Sequence, residues 1–382
     1  MHGKFYTSFI VCYILFALLL YDWISILQYA DEFLTLILVF YYILKKKAYI
    51  QREFAFFLLV VCFYIFYSIG LRVNSYPSVF YDLQQQIKPY LVFYCTLGLA
   101  PCFTKKQMKL LKNIAILAVF CSFLIFVPYY WEDVESASLA TSIVVCSLLY
   151  YFFSTSGSKN KIMIFLFLFG IISGKSKFYG ELIIAIYLFL MCKHKLNFSS
   201  LKTYVVTVIA IVVILFSTWQ RFSYYYIDGF EREDIARPML YKTGGQILID
   251  YFPCGSGLGT FANEASRVFY SPLYYKYSLN EVWGLSEDEP GFIADAFYPT
   301  LTQIGFIGIL FFLLFWYRKY LAIRGASLEY YKLGMMIILF LFIESVADST
   351  YLSNRGLLLF LLLALVLNSN KNTFYKKNIS TK

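Results

Sequence analysis

Long apolar runs separated by short polar breaks dominate the pattern of this 382-residue chain. Runs of about twenty apolar residues match the thickness of a bilayer core when they are wound as a helix. They lack the strict alternation over about ten residues that is typical of membrane-spanning strands. The pattern therefore predicts an all-α polytopic membrane protein with about twelve spans, at residues 5–21, 24–44, 53–71, 86–100, 113–130, 137–153, 161–173, 178–192, 203–218, 292–317, 333–347 and 355–367.

One long polar segment, residues 219–291, interrupts the apolar sequence after the ninth predicted span. The chain thus divides into nine spans (1–218), a large loop (219–291), three further spans (292–367) and a tail (368–382). Within the loop, apolar residues at helical spacing predict a helix from Arg232 to Tyr251, with Pro238 in its first turn. Arg237 would then lie at the positive end of the helix dipole, where a phosphate or a developing anion is stabilised.

Composition and charge agree with a membrane protein. Hydrophobic residues make up 60% of the chain and charged residues only 15%, whereas soluble domains are about half apolar and a quarter charged. The net charge of +10 comes mainly from lysines and arginines in alternate short breaks, so it indicates topology and not nucleic-acid binding. This distribution places both termini in the cytoplasm and the 219–291 loop outside the cytoplasmic membrane.

Basic residues outside these cytoplasmic breaks are the candidate ligands for an anion, because the positive-inside tendency disfavours them there. For any single residue, snorkelling to lipid headgroups stays an equal alternative. Lys175 and Lys177 flank Ser176 in a tight break after Gly174, an arrangement suited to a diphosphate. Lys88 has Asp82 six residues before it, and a simple Lys88–Asp82 ion pair is the alternative there. The other candidates are Arg72, Arg221 and Arg355.

Glycines and carboxylates complete the candidate site. Gly255, Gly257 and Gly259 alternate after Pro253, which permits positive φ angles and close approach of a ligand to backbone N–H groups. The surrounding pattern is not strand–turn–helix, so a nucleotide site is not indicated. Glu289 and Asp295 supply carboxylates near the end of the loop. The role of four further acidic residues at span depth stays open: Asp31, Glu32, Glu181 and Glu344.

Taken in order, these motifs resemble the O-antigen polymerase and ligase superfamily of bacterial envelope glycosyltransferases. The matching features are the Lys175-Ser176-Lys177 turn, Arg237 ahead of a short helix, the run 252–261, and Gly305 and Gly308 at the start of the next span. The resemblance implies a metal-independent transfer of an oligosaccharide from a polyprenyl diphosphate carrier to a sugar hydroxyl outside the membrane. Ligases of the superfamily usually place a histidine in the outer loop. Here His2 and His194 both fall on the cytoplasmic side, which favours a repeat-unit polymerase.

The polymerase hypothesis assigns a role to each candidate. Arg237, Lys175 and Lys177 would stabilise the departing diphosphate, and Asp295, or failing that Glu289, would deprotonate the acceptor hydroxyl. The expected partners are the polyprenyl-diphosphate-linked oligosaccharide, membrane lipid, and the flippase and chain-length regulator of the same pathway, with no nucleic acid and no cofactor or metal. A ligase-type transferase and a lipid-linked oligosaccharide flippase remain the alternatives. The expected substrate-binding residues are Lys88, Arg72, Arg221, Arg355, Gly255, Gly257, Gly259 and Glu289.

Overall fold

The computed structural model describes residues 2–21, 24–46, 51–129, 136–196, 227–232 and 234–380, together with positions 208, 212, 219, 223 and 224. Every regular element within these residues is helical. Most of the ninth predicted span, 203–218, and the candidate Arg221 lie outside the described residues.

The described residues of the first half of the chain form eight α-helices. Short 3₁₀ or π-helical turns continue or precede several of them, at Tyr13–Leu19, Ser25–Tyr29, Phe169–Ser173 and Tyr187–Met191. The bounds are α1 Gly3–Cys12, α2 Ala30–Lys46, α3 Arg52–Leu71, α4 Tyr76–Leu99, α5 Lys105–Tyr129, α6 Ser136–Phe153, α7 Lys159–Leu168 and α8 Ser176–Ile186.

The described residues of the second half form three α-helices of the polar segment, with short 3₁₀ helices at Asp228–Glu231 and Leu279–Glu281, and three apolar α-helices. A 3₁₀ helix, Tyr298–Ile304, leads into the first of the apolar helices. The bounds are α9 Ala236–Asp250, α10 Glu264–Val268, α11 Pro272–Lys276, α12 Gly305–Arg324, α13 Leu328–Ala347 and α14 Asn354–Ser380. The helix predicted in the loop is confirmed as α9, although it begins four residues later than Arg232.

Five helices of the described chain are long and apolar enough to cross a membrane: Ile26–Lys45, Arg52–Leu71, Lys105–Ile125, Tyr298–Arg324 and Leu328–Ala347. Shorter apolar helices occur at Gly3–Leu19, Ser138–Phe153 and Asn354–Ser369. The all-helical class is therefore confirmed for the described residues, the five apolar helices agree with the predicted polytopic membrane protein, and the count of twelve spans stays a prediction. The tenth predicted span, 292–317, begins later than expected, at Tyr298.

The polar segment is not an irregular loop, because it folds around an apolar core of its own. We call residues 234–296 the loop module. The end of the helix bundle that the loop module covers is called the loop end. In the bundle, α5 packs on α6 and α14 packs on α4. The core of the loop module is formed by Ala236, Leu240, Ile247, Phe261, Ala262, Leu273, Tyr274, Leu279, Val282, Leu285 and Ile293.

Candidate functional site

Arg237 and Asp295 form an ion pair at the base of the loop module. Arg237 is the second residue of α9, and its guanidinium donates to the carboxylate of Asp295. Two further bonds fix these elements on the end of α13: the Tyr241 hydroxyl donates to the carbonyl of Val346 (2.7 Å), and the Phe297 amide donates to that of Ser345 (3.2 Å). The predicted basic residue and the predicted base therefore meet where the loop module joins the bundle.

Lys177, in the first turn of α8, binds two carboxylates at the end of α13. Its ammonium group lies 2.9 Å from Glu344 and 2.9 Å from Asp348. The Thr350 hydroxyl lies 2.8 Å from Glu344 and 3.0 Å from Asp348. One turn further along α8, the buried carboxyl of Glu181 lies in the electrostatic field of Glu344 and Lys177.

The two ion pairs belong to one cluster, since the carboxyl of Asp295 lies in the electrostatic field of both Lys177 and Asp348. We call this set the charge cluster. It holds four acidic and two basic groups. Its members are Lys177, Glu181, Arg237, Asp295, Glu344 and Asp348.

Asp295 has an altered acidity within the charge cluster. Burial raises the pKa of its carboxyl above the ordinary value, and the neighbouring Arg237 guanidinium opposes that shift without cancelling it. A carboxyl with a raised pKa is a stronger base once it is ionised, which suits proton abstraction from a hydroxyl. Glu289, the second-choice base, is exposed, its backbone amide donates to the Ser286 hydroxyl (3.1 Å), and it forms none of the ion pairs of the charge cluster that the described residues show.

Three of the four predicted catalytic residues thus come together: Lys177, Arg237 and Asp295. The fourth, Lys175, is exposed at the N-terminal cap of α8, two residues from Lys177. The prediction missed that Lys177 is already held by two carboxylates. Glu344 and Glu181 carried a signal as ionisable residues at span depth. Asp348 carried none, because it follows the predicted span 333–347 as an ordinary polar residue.

Lys88 forms ion pairs with two residues of α2, and not the alternative ion pair predicted with Asp82. Its ammonium group lies 2.9 Å from Asp31 and 2.5 Å from Glu32 at the start of α2. The Lys88–Asp82 alternative is wrong because positions six apart on an α-helix point about 120° apart and lie about 9 Å apart along the axis, and Asp82 accepts instead from the Gly259 amide. Among the described residues, one oxygen of each acidic partner, Asp31 Oδ1 and Glu32 Oε2, is buried without a hydrogen bond. This buried triad lies inside the bundle.

Asp82 instead fastens the glycine run to the bundle. Its carboxylate accepts from the Gly259 amide at 2.8 Å, and the hydroxyl of Ser68 in α3 accepts from the Leu258 amide at 2.8 Å. The Gly257 amide donates to the carbonyl of Gln303 (2.9 Å), and the Gly255 amide donates to that of Tyr251 (2.8 Å).

This arrangement corrects the predicted role of Gly255, Gly257 and Gly259, because their amides bind protein groups and not a ligand. All three glycines have positive φ angles, as expected. A Cβ atom at Gly259 would lie 2.6 Å from the carbonyl oxygen of Ser78, and one at Gly255 would lie 2.4 Å from that of Thr302. The glycines are therefore required for close approach of the run to α4 and to residues 302–305.

The remaining substrate-binding candidates, Arg72 and Arg355, form none of the ion pairs of the charge cluster that the described residues show. Arg72 is exposed immediately after α3, in the left-handed region with φ 54°. Arg355 is buried at the start of α14, where its Nε donates to the hydroxyl of Ser142 in α6 (3.1 Å). A contribution of either residue to substrate binding stays a prediction.

A polar cleft of about 580 Å³ lies beside α9. One wall is the helix itself, and the other is the segment 277–282. Because these residues offer carboxylate, amide, hydroxyl and ammonium groups, the cleft suits a hydrogen-bonding ligand such as a sugar. Its polar lining is Asp234, Lys242, Thr243, Gln246, Tyr277, Ser278 and Glu281.

Comparison of the chain with protein-family models, curated proteins and solved structures gives no match.

Proposed function

We propose that the chain is a membrane glycosyltransferase that joins polyprenyl-diphosphate-linked oligosaccharide repeat units into a surface polysaccharide such as an O-antigen, capsule or exopolysaccharide. The observation that supports this most directly is the Arg237–Asp295 ion pair beside Lys177 at the loop end. Departure of a diphosphate needs cations, and activation of a sugar hydroxyl needs a base. The charge cluster contains both.

In the proposed reaction, the bond between the anomeric carbon of the donor sugar and the diphosphate oxygen breaks. The diphosphate leaves with the bonding electron pair, and its negative charge is met by Arg237 and Lys177. The hydroxyl oxygen of the acceptor sugar forms the new bond to the anomeric carbon, and its proton passes to Asp295. The products are a lipid-linked chain one repeat unit longer, a free polyprenyl diphosphate and a protonated carboxyl group.

The existing ion pairs require an exchange of partners during this reaction. Arg237 is held by Asp295, and Lys177 by Glu344 and Asp348. A diphosphate that arrives at the charge cluster competes with these carboxylates for the two cations. When Arg237 turns to the diphosphate, the Asp295 carboxylate loses its cation and becomes more basic. Donor binding would thereby activate the base for the acceptor.

The polar cleft beside α9 is the proposed site for the acceptor glycan. It adjoins the helix whose first turn carries Arg237, and its lining combines hydrogen-bond donors and acceptors with the ring of Tyr277. Sugars bind through such hydrogen bonds and through contact with aromatic rings. An oligosaccharide in the cleft would approach the charge cluster along α9.

The proposal includes the topology expected from the positive-inside tendency: about twelve spans, both termini in the bacterial cytoplasm and the loop module on the outer face of the cytoplasmic membrane. Polyprenyl-diphosphate-linked units in the outer leaflet would then reach the charge cluster from the membrane.

A lipid-linked oligosaccharide flippase is the second candidate, favoured by one observation. Lys88, Asp31 and Glu32 form a buried ionic triad within the bundle, and two carboxylate oxygens of the triad lack hydrogen bonds. Ionisable residues in this position often mark a transport pathway. A flippase, however, forms no glycosidic bond, so a base paired with an arginine at the loop end would have no catalytic role in it.

The deciding experiment supplies the purified full chain in proteoliposomes with a polyprenyl-diphosphate-linked repeat unit. Long glycans together with released polyprenyl diphosphate support the polymerase. Transfer of a glycan to a lipid A acceptor without chain growth identifies a ligase-type transferase. Movement of the lipid between leaflets without a new glycosidic bond identifies a flippase and refutes the proposal.

A further inference from the structure

A long groove runs along the side of the bundle between α3, α4 and α12. We call it the lateral groove; its volume is about 460 Å³. Aromatic and aliphatic side chains such as Phe57, Val61 and Phe311 line its length. Between Glu53 and Tyr64 it follows α3 for about 16 Å, which is about half the thickness of a hydrocarbon core. The groove therefore has the length and polarity to hold one lipid chain within a single leaflet.

The two ends of the lateral groove differ in charge. At the end away from the loop module it is lined by Arg52, Arg318 and Lys319 with a single acidic residue, Glu53. At the loop end its polar lining consists of Gln86, Thr300 and Gln303, which are neutral. The groove is thus basic at the end that the charge pattern assigns to the cytoplasm.

The basic end is built around Lys319. This side chain is nearly fully buried, its ammonium group lies 2.7 Å from Glu53, and it sits over the rings of Phe93 and Phe315, each 5.2 Å from the ring centre. Glu53 is thereby neutralised. Arg318 is largely exposed and lies 3.8 Å from the same carboxylate. Arg52, at the first position of α3, is also exposed. Among the described residues, three basic groups thus share one carboxylate, which leaves a net positive charge beside the mouth of the apolar groove.

We infer that the lateral groove binds an anionic phospholipid of the leaflet opposite the loop module, with its phosphate-containing headgroup on Arg52 and Arg318 and one acyl chain along α3 and α12. Basic residues near the cytoplasmic surface attract the anionic lipids of that leaflet. A polyprenyl diphosphate would fit less well, because its headgroup belongs at the loop end, where the described lining of the groove carries no cation. The inference does not depend on the proposed polymerase activity.

Native mass spectrometry of the full chain in detergent tests the inference. The probes are phosphatidylglycerol and phosphatidylcholine with identical acyl chains. The wild-type protein should prefer phosphatidylglycerol by on the order of tenfold. The double variant Arg52→Gln/Arg318→Gln should lose this preference. The matched double variant Lys106→Gln/Arg324→Gln removes two exposed charges from the same end of the bundle but outside the groove, and should keep it.

A second variant distinguishes the contribution of the apolar groove to lipid binding from that of the two arginines. Val61→Trp places an indole in the groove and should weaken binding of both lipids while leaving the ratio between them unchanged. Equal binding of the two lipids to the wild-type protein, or a preference that survives loss of both arginines, would overturn the inference. So would binding of a polyprenyl phosphate that Val61→Trp abolishes and the arginine substitutions leave intact. A lipid-free dimer that Val61→Trp dissociates would show that a second copy of the chain occupies the groove.

Discussion

The guanidinium of Arg237 binds the carboxylate of Asp295, which lies 58 residues later in the chain. This pair connects the first turn of α9 to the segment that leads into α12, and it lies next to the Lys177 ion pairs. The two residues therefore hold the loop module on the bundle as well as forming part of the charge cluster. Their chemical and structural roles can be separated by experiment.

Replacement of Arg237 by alanine should abolish polymer formation and leave single repeat units on the lipid carrier. The variant loses the cation that meets the departing diphosphate, a kind of loss that costs on the order of a hundredfold or more in rate. Arg267→Ala is the matched control, since Arg267 is exposed in the loop module, pairs with Glu264 three residues earlier, lies outside the polar cleft and should be dispensable. Polymer length is measured by gel electrophoresis at equal protein level. Near-normal chain length in Arg237→Ala would refute its assignment.

The activity should depend on pH through the Asp295 carboxyl. A base must be ionised, so turnover should fall as the pH drops through the pKa of Asp295, which burial raises above its ordinary value. Arg237 lowers that pKa, so in Arg237→Gln the acid limb of the residual activity should move to higher pH. Asp295→Asn should abolish turnover at every pH. The measurement is kcat/KM against pH in vitro, and an acid limb that does not move in Arg237→Gln would exclude Asp295 as the base.

Lys177 should contribute to stability as well as to chemistry. Lys177→Met leaves the carboxylates of Glu344 and Asp348 without their cation, and breaking a buried pair in this way costs about 3–5 kcal/mol. Thermal unfolding in detergent should show a clearly lower Tm for Lys177→Met, partly restored in Lys177→Met/Glu344→Gln. Lys175→Met changes an exposed lysine two residues away and should leave the Tm unchanged. Equal Tm values for the two single variants would contradict the ion-pair assignment.

Gly259 should be intolerant of any side chain. Gly259→Ala combines a φ of +72° with a Cβ atom 2.6 Å from the carbonyl oxygen of Ser78, and such a change costs more than about 1 kcal/mol. Gly245→Ala is the matched control, because that helical glycine has open space around its Cβ position and alanine should stabilise α9 by about 0.5–1 kcal/mol. Limited proteolysis and thermal unfolding compare the two variants. A Gly259→Ala protein as stable as Gly245→Ala would disprove the close packing.

Residues of the polar cleft should affect acceptor binding more than turnover. Gln246→Ala and Glu281→Gln each remove hydrogen-bonding capacity from the cleft, and each should raise the acceptor KM by about tenfold with little change in kcat. Asp288→Asn alters an exposed carboxylate of the loop module outside the cleft and is the control. Steady-state kinetics with a varied acceptor lipid distinguish the cases. A fall in kcat at constant KM would place these residues in the chemical step instead.

The sequence predicted those helices whose formation depends on local periodicity. The apolar runs marked α2, α3, α5, α12 and α13, and Pro238 placed Arg237 in the first turn of α9, because helix formation is governed by neighbours a few residues apart. The expectation that Lys177, Arg237 and Asp295 belong to one site rested on charge and on the family resemblance. The structure brings these three together.

The sequence could not predict which distant side chains pair. Lys88 lies 57 residues from Asp31, and only the packing of α2 on α4 shows that they meet. Similarly, the alternate glycines correctly indicated positive φ angles, but whether their amides face a ligand or the carboxylate of Asp82 depends on how the run lies on α4. The core of the loop module was missed because its apolar residues are spread over three short helices and the segments between them.

The glycine run bears on how a substrate enters. Its backbone amides donate hydrogen bonds to Ser68, Asp82 and Gln303, so α3, α4 and the segment before α12 all bind the same short stretch. A loop fastened at three points cannot swing open as a flap. A substrate would therefore have to reach the charge cluster laterally from the bilayer or along the cleft beside α9. The lipid carrier and the acceptor sugar would then enter by different routes.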